Sequence, residues 1–164
     1  MALARLTLVE GHPEEALAAA RKAEADFQTQ NQADYEAASH TLAALCLLQS
    51  GKVAEAKAEI HLAEKLVKAD DHVAHLPVEI AGAKIATASG DLTNARKTLG
   101  EALAEATKAN LLYLQYDARL ALGELEIKSG NMAAGRAQLK TLKKEAQSKG
   151  FLLITHRAAE VLKE

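Results

Sequence analysis

The sequence contains no tryptophan, and its aromatic residues amount to two phenylalanines and three tyrosines, 3% of the chain. The β-branched and aromatic runs that build strands are missing, which excludes a sandwich or a barrel. A single cysteine, Cys46, excludes an internal disulfide framework and fits a reducing compartment. There is no strong excess of either charge: 20 Lys and Arg stand against 22 Asp and Glu, a net charge of −2, with a pI near 6.3. Nothing global therefore points to nucleic acid or to an anionic membrane. No apolar run approaches the roughly 18 residues of a membrane span. The opening MALARLTLVEG lacks the apolar stretch of a signal peptide and carries a charge at Arg5. The chain reads as a soluble cytoplasmic protein that needs no cofactor.

What remains is rich in alanine and leucine. The 164 residues are 49% hydrophobic and 26% charged, enough to bury a core and stay soluble. Ala and Leu lose little rotamer freedom in a helix. Glycines fall at Gly11, Gly51, Gly90 and Gly130, spaced by 40, 39 and 40 residues, and spacing of this kind signals stacked repeats. Five residues after each glycine stand Ala16, Ala56, Ala95 and Gly135; nine after stand Ala20, Ile60, Leu99 and Leu139; twelve after stand Ala23, Ala63, Ala102 and Leu142. Steps of 3 and 4 make one helical stripe.

The punctuation agrees. Each glycine suits the left-handed residue that ends a helix. Asp91 and Asn131 can cap the helix that follows, and Pro13 with Glu14 and Glu15 suits a first turn. Twenty residues after the glycines come Asn31, Asp71, Asn110 and Gly150, types that close a helix in a turn. The spacing predicts helical hairpins with second helices beginning near residues 12, 52, 91 and 131, and a terminal helix over 151–163. Only ten residues precede Gly11, so the first hairpin reads as truncated and the chain as a piece of a longer protein. Pro77, inside the third hairpin, is expected to open or kink its helix. Five residues before the glycines stand Leu6, Cys46, Ile85 and Leu125, which places Cys46 in the core.

In these hairpins, in the small residues five after each glycine and twelve after the first three, and in Leu122-Gly123, the chain resembles the tetratricopeptide (TPR) repeat family. Its units are longer than the usual 34 residues or so, and His40, Glu79 and Arg119 stand where a bulky aromatic is common. The closing stretch, from ARLALGELEIKSG onward, is similar to C-terminal repeat arrays of large bacterial regulators. The resemblance implies an all-α right-handed superhelical array with a terminal capping helix, acting as a protein-interaction scaffold. A structural spacer, a self-association element and a small-ligand sensor are the alternatives. The family's groove is lined by first helices, which points to Arg5, Leu45, Lys84 and Glu124 (six before the glycines), to Leu48, Thr87 and Ile127 (three before) and to Thr41 and Leu120 (ten before). The apolar ones equally suit packing between hairpins. The asparagine by which some family members hold a terminal carboxylate is missing from the six-before positions.

Other candidate chemistry is weaker. His72 and His75 are spaced to share a helix face and could bind a metal, but turn and capping chemistry accounts for DDHVAH, and no second Cys/His cluster completes a closed site. No metal is expected, nor any effect of chelator on folding. Arg136, Lys140, Lys143, Lys144 and Lys149 form a basic face that reads as solvated, without the interleaved aromatics of a nucleic-acid surface. Ser50, Ser89 and Ser129 read as helix-ending residues, with no nucleophile–base pair and no phosphate loop, so no enzymatic activity is expected. Gly135 in place of alanine suggests that Gly135→Ala would stabilise the helix, unless the helices approach closely there. Lys84 reads as an exposed charge whose replacement by Glu should leave folding intact.

Overall fold

The computed structural model describes residues 2–163. Among these, the chain forms nine α-helices and no strand: α1 (Ala2–Val9), α2 (Pro13–Thr29), α3 (Ala33–Gln49), α4 (Val53–Leu66), α5 (His72–Ala88), α6 (Leu92–Lys108), α7 (Leu112–Lys128), α8 (Met132–Ser148) and α9 (Leu152–Lys163). Successive helices pack on one another, and α3 also touches α5, α5 touches α7, and α7 touches α9. No described helix is long and apolar enough to cross a membrane.

The tight joints follow from the residues at the helix ends. After α3, Gly51 takes φ +76°, its N–H donates to Leu48 O, and the Lys52 N–H reaches back to Leu47 O. These two bonds satisfy carbonyls that the helix end leaves open. Asn31 and Asn110 adopt the same left-handed conformation, φ 54° and 59°, after α2 and α6. The hydroxyls of Ser50, Ser89 and Ser129 donate to Cys46 O, Ala86 O and Glu126 O, again closing helix ends. Asp91 caps α6 through Asn94 N. Asn131 departs from the expected cap: its Nδ2 donates to Glu126 Oε2 at 2.9 Å, and it makes no side-chain cap bond to α8.

The joint between α4 and α5 is different. Helix α4 has 14 residues where α2, α3, α5, α6, α7 and α8 each have 17. It stops at Leu66, and Val67 is extended at φ −97°, ψ 149°. Asp71 does not close α4 as expected. It is the N-cap of α5, its Oδ1 accepting from Val73 N and Ala74 N at 3.1 Å. Helix α5 continues through Pro77 rather than opening there. The proline frees the carbonyl of Val73, an exposed first-turn residue, so water can satisfy it.

Four apolar clusters lie between the helices. The largest joins Leu76, Ile80 and Ala83 of α5 to Leu99 and Ala102 of α6 and Leu125 of α7. Where α7 crosses α8, Gly123 and Gly135 are both buried. A Cβ on Gly135 would stand 2.7 Å from the Gly123 carbonyl oxygen and 3.0 Å from the Ile127 nitrogen. The expectation that alanine would stabilise this site is therefore overturned: backbone occupies the space a methyl group needs. The alternative, a close helix approach, is the one that holds.

Candidate functional site

Helices α1, α3, α5, α7 and α9 line one cavity of about 580 Å³. On α5 and α7 the lining residues lie thirteen, nine, six and two before the glycines: Pro77, Ala81, Lys84 and Ala88, then Asp117, Ala121, Glu124 and Lys128. Steps of 4, 3 and 4 put them on a single helical stripe. The α1 and α3 side is apolar, with Leu8, Val9, Leu42, Leu45 and Leu48; the far side is charged, with Lys84, Asp117, Glu124, Arg157 and Glu160.

Of the residues the sequence suggested, Arg5, Thr41, Leu45, Leu48, Lys84, Thr87 and Glu124 meet around this cavity. Leu120 and Ile127 do not. Leu120 is fully buried with Tyr116, Leu139 and Ile154, and Ile127 packs on the same cluster. Leu120 lies one residue, about 100° of helix rotation, from Ala121, which faces inward, whereas Thr41 at the same register of α3 does line the cavity. Sequence reasoning also missed Asp117, Tyr113 and Arg157. The thirteen-before register would have found Asp117, but Arg157 lies on α9, outside the repeat.

Lys84 is not an exposed charge. It is 9% exposed, and its Nζ donates to Asp117 Oδ1 at 2.7 Å. Arg157 donates to the same oxygen at 3.1 Å and stands 4.0 Å from Glu124. Burial pushes the Asp117 carboxyl upward, but Lys84 and Arg157 beside it outweigh that and hold it below its ordinary value. A glutamate at position 84 would face a buried carboxylate, so Lys84→Glu is a folding mutation, contrary to expectation. Tyr113, exposed at the rim, has its hydroxyl pushed up by partial burial and by Asp117. Lys128 crosses to Ala88 O at 3.1 Å. The charges of this face thus hold α5, α7 and α9 together while remaining along the cavity wall.

Away from the cavity, ligand atoms of Glu24, His40 and Glu59 lie within 4.8 Å of one another. This spacing could suit a metal, but a cation is already there. Arg21 donates to Glu24 at 3.0 Å and to Glu59 at 2.5 Å, and His40 Nδ1 bonds Glu59 at 2.8 Å. The arrangement ties α2, α3 and α4 together as one hydrogen-bonded network. The basic face of α8 is also partly committed, because Arg136 donates to Leu162 O near the end of α9. Cys46 is buried, and burial pushes its thiol up to about 11.

No family model, no curated protein and no solved structure matches the chain.

Proposed function

We propose that the chain is a right-handed superhelical array of TPR-like hairpins, closed by α9, and that it works as a protein-interaction module. Its occupant is an extended or helical segment of a partner, held in the cavity between the odd-numbered helices. The observation that carries this reading is the cavity itself: five helices contribute to one concave surface with an apolar side and a charged side. Such a surface suits a segment of mixed character, since apolar burial supplies affinity and complementary charge sets register. Contacts between α3 and α5, α5 and α7, and α7 and α9 support the stacked arrangement. The cavity volume also falls in the range of small-molecule pockets, which keeps ligand sensing as the second reading.

Random-peptide display against the immobilised protein tests this proposal. Selected peptides should lose about tenfold in affinity, some 1.4 kcal/mol, on Arg5→Glu or Tyr113→Ala, both exposed lining residues. Lys140→Glu on the outer face of α8 should leave binding unchanged. Failure to select any peptide, or peptides lost on Lys140→Glu alone, would overturn the groove reading. Binding of small amphiphiles without peptides would favour the second reading.

A further inference from the structure

The α5–α6 hairpin carries a buried imidazole, His75, that the fold leaves unsatisfied. On α5, His72, His75 and Glu79 follow at i, i+3 and i+7 and share one face, and Glu105 of α6 meets them. His72 Nδ1 lies 2.6 Å from Glu105 Oε1. His75 Nε2 lies 3.7 Å from the same oxygen and 3.5 Å from Glu79 Oε2. His75 is 9% exposed, and both of its buried ring nitrogens lack a hydrogen-bond partner among the described residues. A buried imidazole without a partner is costly.

The next hairpin shows what is missing. Eleven before and fifteen after the glycine, α7 and α8 place Arg119 and Glu145, which pair at 2.6 Å. At the same two registers the α5–α6 hairpin places Glu79 and Glu105. A carboxylate thus replaces the guanidinium. Burial pushes the Glu79 carboxyl up, and Glu105, Glu101 and Glu64 nearby push the same way, against the pull of His75. The Glu24–His40–Glu59 cluster differs on this point, because Arg21 pairs with both of its carboxylates.

We propose that His72, His75, Glu79 and Glu105 form a binding site for a divalent transition-metal ion that clamps α5 to α6. Two imidazoles and two carboxylates make a donor set suited to Zn²⁺, and the two carboxylates balance its charge. Bonds of about 2.0–2.1 Å in a tetrahedron place ligand atoms roughly 3.3 Å apart. The 3.5 and 3.7 Å separations at His75 are close to that edge, while no three ligand atoms of the four residues lie mutually within 4.8 Å as the side chains stand, so the carboxylates must turn inward on binding. The His72–Glu105 hydrogen bond must open, and His72, whose side chain is 46% exposed, has room to swing. The metal takes the place that arginine fills in the following hairpin.

Untagged protein, stripped with chelator, would be titrated with Zn²⁺ by calorimetry and with Co²⁺ by visible absorption. The expected result is one ion per chain, with the intense Co²⁺ bands of a tetrahedral site and a raised melting temperature. His75→Gln and Glu105→Gln should each weaken Zn²⁺ binding by at least about tenfold, and His40→Gln should leave it unchanged. His72→Gln, in an exposed first turn, keeps the result readable should His75→Gln unfold the chain, and it should also weaken binding by about tenfold. No stoichiometric binding, binding indifferent to His72→Gln and Glu105→Gln, or binding lost on His40→Gln would each overturn the site.

Discussion

The α5–α6 and α7–α8 hairpins share a length and a register, yet they resolve the same positions in opposite ways. In α7–α8 the helices cross through Gly123 and Gly135, and the flanking polar residues are paired, Arg119 with Glu145 inside the hairpin and Asp117 with Lys84 of α5 and Arg157 of α9. In α5–α6 the matching crossing positions are Ala83 and Ala95, both buried, and the flanking positions hold two carboxylates beside an unpartnered imidazole. The backbone repeat thus needs small residues at the crossing but leaves the charges free to vary. One hairpin uses that freedom to tighten itself, while the other retains donor atoms that the fold does not use.

The contrast is sharpest at Asp117, which serves two cations. Asp117→Asn should cost about 3–5 kcal/mol, the effect of breaking a buried pair from one side, measured by urea denaturation at neutral pH. The carboxyl titrates below its ordinary value in the fold, so its contribution is present above about pH 4 and is lost as pH falls through that lowered value. The gap between wild type and variant should therefore close in acid. A gap below about 1 kcal/mol at neutral pH would show that the charged face is not structural.

Gly135→Ala should destabilise by about 1–3 kcal/mol, since backbone must move to admit the methyl group. Its counterpart Ala95→Gly should cost only about 0.5–1 kcal/mol, through backbone entropy. Equal costs would remove the distinction between the two crossings. Glu79→Arg moves the pairing of the last hairpin into the α5–α6 one. It should raise stability by less than about 1 kcal/mol, as half-exposed pairs do, and abolish any shift of the melting temperature by Zn²⁺. The smallest effect concerns acid. Because the Glu79 carboxyl titrates above its usual value in the fold, its contribution is present below about pH 4.3 and lost as pH rises through the raised value. Glu79→Gln should therefore melt slightly higher than wild type at pH 7 and no higher at pH 4.

The repeat is legible in the sequence because its signals are local. A left-handed joint needs Gly or Asn at one position, so Gly51, Gly90 and Gly130 mark helix ends whatever surrounds them. Apolar periodicity likewise placed Cys46 inside. The cavity was legible in part: the six-before register reached it throughout, while the ten-before and three-before registers reached it at Thr41, Leu48 and Thr87 but not at Leu120 and Ile127, because the sequence does not show how the last hairpin turns on its neighbour. Polar contacts between helices were not legible. Nothing local in Glu79 or Glu105 shows that α5 and α6 bring them to His75, and nothing in Lys84 shows that Asp117, 33 residues on, buries it. The early stop of α4 has no strong breaker to announce it, and Asp71 suited either end of a helix.

Cys46 lies among Ala16, Ala20, Leu42 and Ala43, where α2 meets α3. Its thiol ionises only near pH 11 in the closed state, so at neutral pH an alkylating reagent finds almost no thiolate until that seam parts. The lone thiol is thus a clock for the opening of one end of the molecule. Its labelling rate counts how often that end breathes, independently of any event at α5–α6.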